Sequence, residues 1–143
     1  MIKKRKILIV IADYYSVISN SLLDSAKKTL IKPFKLRVIT VPGVFEIPVI
    51  ISKNIKKFDA FIALGCVIKG ETPHFDFISK ASIEAIMNLS VKNKKPIGNG
   101  IITCLNMKQA IARKNNKGEE AANAVNSVFD ELELDNKDML VDF

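Results

Sequence analysis

Four apolar runs rich in isoleucine and valine recur along the chain, and the spacing between them leaves room for helices. They cover residues 6–12, 36–41, 60–68 and 96–103. Continuous apolar runs of this length are typical of strands that are covered on both faces, as in a parallel sheet. Parallel neighbours are joined by right-handed crossovers through helices. The runs therefore predict an α/β fold with three layers, doubly wound around a central four-stranded parallel sheet.

The segments between these runs have helical spacing. In residues 73–91 one stripe of residues three or four apart is predicted to face the sheet, namely Phe75, Ile78, Ser82, Ile86 and Leu89. Further helices are predicted at residues 21–30, 47–55 and 117–134. No repeat, low-complexity tract or Pro/Ser-rich linker divides the 143 residues, which is a usual length for one domain. We therefore expect a single domain over residues 1–143.

Composition narrows the class of protein. A hydrophobic fraction of 48% with 26% charged residues is ordinary for a soluble globular protein. The basic and apolar start of the chain differs from a signal peptide, because its apolar run stops at Asp13 and no small-residue cleavage site follows. Cys66 and Cys104 lack the paired spacing of a redox or zinc motif, which favours reduced thiols in a cytoplasmic protein. With one histidine, the usual zinc ligand sets cannot be assembled, so no catalytic metal is expected.

The net charge of +7 raises the possibility of nucleic-acid binding, because clustered lysine and arginine bind phosphates. The basic runs are scattered, however, and no aromatic residues that would stack bases lie between them. Lysines in the last turn of a helix also complement the helix dipole. We therefore interpret the basic runs as solvated helix ends and expect no nucleic-acid and no membrane partner. Some of the basic charge is expected to serve an anionic small substrate.

In a doubly wound fold, ligands bind outside the carboxyl ends of the strands. This rule selects four loops, at residues 13–16, 42–46, 69–74 and 103–106. In the third loop, Thr72 is a suitable N-cap, Pro73 fits the first helical position, and His74 falls in the first turn. Backbone amides at a helix N-terminus bind phosphate or carboxylate, and a histidine there can exchange a proton near neutral pH. The alternative is that His74 only helps to cap the helix.

The other loops also carry candidate binding residues. Gly43 allows close approach of the backbone, and Glu46 is placed to accept hydrogen bonds from hydroxyl groups. Phe45 fits either a binding role or the core. Tyr14 and Tyr15 offer a ring that can pack on a flat heterocycle. Late in the chain, Arg113 and Lys117 suit phosphate or carbonyl oxygens, although each is by itself an ordinary surface cation.

Three motifs, taken in this order and at these spacings, resemble the lumazine synthases: VPGVFEIP, ALGCVIKGETPHFDFIS, and PIGNGIIT with QAIAR and NKGEEAANA after it. The resemblance implies a flavodoxin-like fold and the penultimate step of riboflavin biosynthesis. In that step 5-amino-6-(D-ribitylamino)uracil and 3,4-dihydroxy-2-butanone 4-phosphate condense to 6,7-dimethyl-8-ribityllumazine, with release of phosphate and water. It also implies that the reaction needs no cofactor and that the partners are small-molecule substrates and other copies of the chain. The copies are expected to form homo-oligomers, either pentamers or larger capsids, with active sites shared between subunits.

The resemblance also assigns roles to residues of this chain. His74 matches the catalytic histidine. The phosphate site corresponds to Gly70, Glu71, Thr72 and Arg113. The residues that match the family's binding site for the pyrimidine and its ribityl chain are Tyr14, Gly43, Val44, Phe45, Glu46, Val67, Ile68, Lys69, Asn99 and Lys117.

The chain departs from the family pattern at three places. Asp13, Tyr14 and Tyr15 replace a common Arg-Phe-Asn, Asn99 replaces a phenylalanine, and the segment between Arg113 and Lys117 is short. Two other functions share the fold. One is a flavin- or lumazine-binding protein without turnover, and the other is the archaeal type of riboflavin synthase. His74 and Arg113 favour the synthase over a binding protein, because a protein that only binds needs no proton carrier beside a phosphate.

Overall fold

The computed structural model describes residues 4–70, 73–133 and 140–143. Strands and helices alternate along these residues in the order β1 (Arg5–Ala12), α1 (Ser16–Thr29), β2 (Phe34–Val41), a 3₁₀ turn (Val44–Glu46), α2 (Ile47–Asn54), β3 (Ala60–Ile68), α3 (His74–Asn93), β4 (Ile97–Cys104) and α4 (Met107–Glu133). The strands form one parallel sheet in the order β2-β1-β3-β4. The predicted α/β fold with a central four-stranded parallel sheet is confirmed.

The apolar core lies in two layers, one on each face of the sheet. Side chains of a strand point alternately to opposite faces. Ile7, Ile9 and Ile11 accordingly pack with α1 and α4, whereas Leu8 and Val10 pack on the opposite face with α2 and α3. Because both faces of β1 are covered by helices, its sequence from Ile7 to Ala12 is an uninterrupted apolar run.

Two helices begin earlier than the sequence pattern predicted. Helix α1 begins at Ser16 and not at residue 21, because the Tyr15 carbonyl already accepts a hydrogen bond from the Ser19 N–H at 2.9 Å. Helix α4 begins at Met107 and not at residue 117. Asn106 accepts from the Gln109 N–H at 2.9 Å, and the Gln109 side chain accepts from the Leu105 N–H at 2.8 Å. These two bonds form a variant of the capping box, in which the Gln109 side chain reaches the amide of the residue before the N-cap, and the Asn-x-x-Gln spacing signals it in the sequence.

Gly118 therefore lies in the middle of α4 and does not mark the start of a helix. It is buried where α4 crosses α1, and a Cβ atom there would collide with the Leu22 carbonyl oxygen. Gly98 on β4 has a similar role, because a Cβ there would collide with the Ala121 carbonyl oxygen of α4. These glycines allow α4 to pack closely on both α1 and β4. The predicted end of this helix, at residue 134, lies outside the described residues.

Helix α3 begins at His74, with Pro73 in the N-cap position. The Pro73 carbonyl accepts hydrogen bonds from the amides of Asp76 and Phe77 at 3.1 and 3.3 Å. Thr72, predicted as the N-cap, lies outside the described residues, as does Glu71. The predicted stripe is confirmed, because Ser82 and Ile86 are buried and the stripe's other members are partly buried. None of the described helices combines the length and the hydropathy of a membrane span.

Candidate active site

A cavity of about 790 Å³ opens at the carboxyl edge of the sheet, beside the point where the strand order reverses between β1 and β3. Loops that follow neighbouring strands diverge at such a point and leave a crevice for a ligand. The cavity is lined by the loops after β1 and β2, the end of β3 and the first two turns of α3. Its lining residues are Ala12, Tyr14, Tyr15, Gly43, Val44, Phe45, Glu46, Cys66, Val67, Ile68, His74, Phe77, Ile78 and Ala81.

The loop after β1 is tied to its neighbours through the backbone. The Asp13 N–H donates to the Val41 carbonyl at 3.2 Å, and the buried Ser19 hydroxyl donates to the Ala12 carbonyl at 2.6 Å. The ring of Tyr14 meets that of Tyr15 edge to face, with centroids 4.9 Å apart. Tyr14 is 76% exposed at the cavity. An exposed aromatic ring that lines a cavity is placed to stack on a flat ligand.

The loop after β2 forms the opposite wall. Its 3₁₀ turn is closed by a hydrogen bond from the Glu46 N–H to the Gly43 carbonyl at 3.2 Å. Val44 is buried, and its carbonyl accepts from the Ser82 hydroxyl of α3 at 3.5 Å. Phe45 is 62% exposed, so the alternative interpretation that it belongs to the core is wrong. Glu46 therefore reaches the cavity from a turn that is anchored on both sides.

The end of β3 and the start of α3 complete the cavity. His74 is the first residue of α3, is exposed, and lines the cavity. The N-terminal end of a helix carries a partial positive charge from the aligned peptide dipoles, which favours an anion. The Lys69 N–H donates to the Cys104 carbonyl at 2.9 Å. Lys69 and Gly70 are exposed beyond the end of β3 and are not among the lining residues of the cavity.

Arg113 and Lys117 lie elsewhere. They line a second cavity, of about 320 Å³, between β4 and α4, which shares no lining residue with the first. The Arg113 guanidinium donates to the Thr103 carbonyl at 3.3 Å, and the Lys117 ammonium lies 3.8 Å from Glu120. Asn99 lines neither cavity, and its side-chain oxygen accepts from the Ile101 N–H at 3.0 Å. One copy of the chain therefore does not bring these three predicted residues to His74.

Some lining residues were not predicted as part of the site. Phe77 and Ala81 share one face of α3 with His74, because residues three, four and seven apart on a helix lie above one another. The helical period starting from His74 would have identified them. Cys66 also lines the cavity, and its place depends on contacts that sequence spacing does not reveal.

The pKa values of two groups that line the cavity are raised, which favours the neutral form of each group. The pKa of the Cys66 thiol is raised to about 12, first by burial and then by the charge of Cys104 and a hydrogen bond with it. The pKa of Tyr15 is raised mainly by burial, with smaller contributions from Tyr14 and the two cysteines. Both groups therefore remain protonated at neutral pH. In the part of the chain that the structure describes, no three His, Cys, Asp or Glu side chains are grouped to hold a metal ion.

The fold and the cavity together define a flavodoxin-like α/β protein with a small-molecule site at the switch point of its sheet. A family model described as 6,7-dimethyl-8-ribityllumazine synthase matches residues 4–133. The chain therefore belongs to the 6,7-dimethyl-8-ribityllumazine synthase family.

Relatives with that name align over most of their length. One from Bartonella henselae is 46% identical over 131 residues, which cover 85% of this chain and 84% of the relative. One from Methylorubrum extorquens strain PA1 is 42% identical over 136 residues, which cover 87% of this chain and 79% of the relative. A 6,7-dimethyl-8-ribityllumazine synthase 1 from Rhodopseudomonas palustris is 44% identical over 131 residues, which cover 83% of this chain and 80% of the relative. The similarity therefore includes all the loops that line the cavity.

Proposed function

We propose that this chain condenses 5-amino-6-(D-ribitylamino)uracil with 3,4-dihydroxy-2-butanone 4-phosphate to 6,7-dimethyl-8-ribityllumazine, releasing phosphate and water. Family membership supports the reaction. The observation that carries the site is that Tyr14, Glu46 and His74, from three separate loops, line one cavity at the carboxyl edge of the sheet. Nothing in the structure favours a binding protein without turnover.

The reaction requires proton transfer at each step. The pyrimidine amine attacks the ketone, an imine forms with loss of water, phosphate departs, and the nitrogen that carries the ribityl chain closes the second ring. A histidine accepts and returns protons near neutral pH. We assign this role to His74, which lies at the cavity where the N-terminus of α3 favours the departing phosphate. The amides of Gly70, Glu71 and Thr72 are assigned to that phosphate.

The remaining cavity residues fit the pyrimidine and its ribityl chain. Tyr14 is assigned to stacking on the ring, Glu46 to the ribityl hydroxyls, and the backbone of Val67 and Ile68 to the polar edge of the ring. Carboxylates accept hydrogen bonds from hydroxyl groups, and backbone amides and carbonyls at a strand end match the edge of a heterocycle. Lys69, Gly43, Val44 and Phe45 complete this part of the proposed site.

We further propose that the active site is shared between copies of the chain in a homopentamer or a larger capsid. The cavity carries three large exposed side chains, Tyr14, Phe45 and Phe77, which are 76%, 62% and 69% exposed. Grouped exposed apolar side chains mark surfaces that a partner covers. In this arrangement Arg113, Lys117 and Asn99 reach the cavity from the neighbouring copy, Arg113 contacting the phosphate.

Residues 1–143 are proposed to form one domain, located in the cytoplasm. Cys66 and Cys104 are both free, which fits a reducing compartment. The proposed partners are the two small-molecule substrates and other copies of the chain, without nucleic acid or membrane.

The test is to mix the two substrates with the purified protein and to follow the absorbance and fluorescence of the lumazine. Light scattering on the same sample weighs the active species. We expect product to form faster than in the uncatalysed mixture, and the active species to be a multiple of the 15.9 kDa chain. A product rate equal to the uncatalysed rate would refute the activity, and an active monomer would refute the shared site.

A further inference from the structure

Cys66 and Cys104 are the only cysteines of the chain, and the proposed reaction uses neither. Both are free and buried, at 7% and 3% exposure, and they belong to the same side of the core. The Cys104 thiol donates to the Asn106 carbonyl at 3.4 Å. Cys66 and Cys104 therefore lie near each other on the same face of the sheet, at the carboxyl ends of the adjacent strands β3 and β4.

The strand register argues against a disulfide between them. Cys66 lies opposite Ile102 and Cys104 lies opposite Ile68, so the two cysteines are diagonal neighbours on adjacent strands. A strand separation of about 4.8 Å and a rise of about 3.3 Å per residue give a Cα separation of about 8 Å. Disulfides need Cα atoms closer than about 7 Å. Oxidation to a disulfide would require the sheet to move, whereas an ion bridging the sulfur atoms would not.

The pair is accessible from the active-site cavity. Cys66 lines the cavity, while Cys104 is not among its lining residues and lies behind Cys66. The Tyr15 side chain is close enough to both cysteines for their charges to affect it. A small ion that enters the cavity can therefore reach the sulfur atom of Cys66, which has the second cysteine as a diagonal neighbour on the adjacent strand.

We propose that Cys66 and Cys104 form a two-sulfur binding site for soft metal ions, of the class of Cu(I) and Hg(II), at the floor of the active-site cavity. Thiolates select soft ions. Such ions accept two sulfur ligands, so the absence of a third metal-ligating group among the described residues is no obstacle. Two metal–sulfur bonds form and both S–H protons pass to solvent, so no oxidant or reductant is consumed.

Metal–sulfur bonds of about 2.3 Å place bridged sulfur atoms roughly 4 to 5 Å apart. Rotation of the two side chains can bring sulfur atoms on Cα atoms about 8 Å apart to this distance without moving the sheet. An ion at this position changes the floor of the cavity, and it therefore inhibits turnover. This second effect rests on the proposed function, whereas binding itself does not.

The binding test is to titrate the metal-free protein with Hg(II) in the presence of excess glutathione. We expect one ion retained per chain and an ultraviolet sulfur-to-metal charge-transfer band. In a parallel titration without glutathione we expect two protons released per ion, because without a competing thiol both S–H protons pass to solvent. The Cys104→Ala variant keeps a single thiol, so glutathione should remove its ion. Half an ion per chain, or equal retention by wild type and variant, would overturn the proposal. The wild-type stoichiometry and proton release decide the matter even if the variant fails to fold.

Two further measurements test the location of the site. Prior saturation with the pyrimidine substrate should slow ion uptake, and unchanged uptake would refute entry through the cavity. Cys104→Ala, which removes no lining residue, should keep its turnover and resist inhibition by Hg(II). Inhibition equal to that of wild type would refute the inhibitory role. A wild-type protein that binds the ion as described but has no turnover would instead refute the proposed reaction.

Discussion

His74 owes its position to its neighbours in the chain. Pro73 occupies the N-cap of α3, and its carbonyl accepts the amides of Asp76 and Phe77. The helix therefore begins at His74, at the end of the helix dipole that carries partial positive charge. An imidazole in this position lies at a helix N-terminus, which favours an anion.

We expect His74→Ala to lower kcat by about 10²-fold while leaving the KM for the pyrimidine nearly unchanged. General acid–base groups contribute ~10²–10⁴-fold, and the low end applies because a free amine forms an imine readily. Steady-state kinetics with each substrate varied in turn measures this effect. Lys80→Ala, at an exposed position of the same helix, is the matched control and should leave kcat unchanged. A wild-type kcat in the His74 variant would remove His74 from the mechanism.

Cys66 makes the free energy of unfolding depend on pH in the alkaline range. Its thiol has a pKa of about 12 in the folded chain because it is buried. In the unfolded chain a thiol titrates near about 8.5. The unfolded state thus loses a proton that the folded state keeps. The contribution of the protonated thiol to the free energy of unfolding is therefore fully present below the pKa of the unfolded chain. It is lost as pH rises toward the pKa of the folded chain.

We therefore expect the free energy of unfolding to fall more steeply in wild type than in Cys66→Ala as pH rises above about 8.5. Urea unfolding at a series of pH values measures the two slopes, and the titration of the lysines affects both proteins alike. Parallel slopes would show that Cys66 keeps an ordinary pKa in the folded state.

At the scale of elements, α4 is the helix that the sequence pattern described least well. Its start is set by the capping box of Asn106 and Gln109, and its middle carries Gly118. Glycine in a helix interior usually costs about 1 kcal/mol relative to alanine, so a pattern-based prediction places a boundary near it. The tertiary structure explains this glycine by the close crossing of α4 over α1.

Gly118→Ala should consequently destabilise the protein by about 1–3 kcal/mol, the usual cost of overpacking, although alanine is the better helix former. The added Cβ would collide with the Leu22 carbonyl and the Ser25 hydroxyl of α1. Urea unfolding measures the change. Asn115→Ala, at an exposed position of the same helix, is the control and should remain within about 0.5 kcal/mol of wild type. Stabilisation by Gly118→Ala would mean that α4 does not cross α1 this closely.

At the scale of the whole molecule, the two cavities lie in different parts of the chain. His74 lines the cavity beside β1 and β3, whereas Arg113 and Lys117 line the one between β4 and α4. A site that uses all three residues needs two copies of the chain. Heterologous contacts, in which two different patches of the same chain meet, generate rings when the rotation from one copy to the next closes on itself.

We expect a mixture of the His74→Ala and Arg113→Ala variants, dissociated and reassembled together, to be more active than the sum of the two. In a mixed ring, some cavities combine an intact His74 from one copy with an intact Arg113 from the next. Product formation under saturating substrates measures the recovery, and each variant reassembled alone is the control. Activity equal to the sum would place both residues in the site of a single chain.

The sequence by itself determined the parallel sheet, and it placed Tyr14, Glu46 and His74 at the loops of the carboxyl edge, because burial on both faces and turn chemistry are local signals. The capping box at Asn106 was also present in the sequence, although the helical pattern after Lys117 obscured it. The meeting of Cys66 with Cys104 and the separation of Arg113 from His74 were decided only by the tertiary structure. Strand register and helix crossing set these distances, and both depend on contacts between residues far apart in the chain.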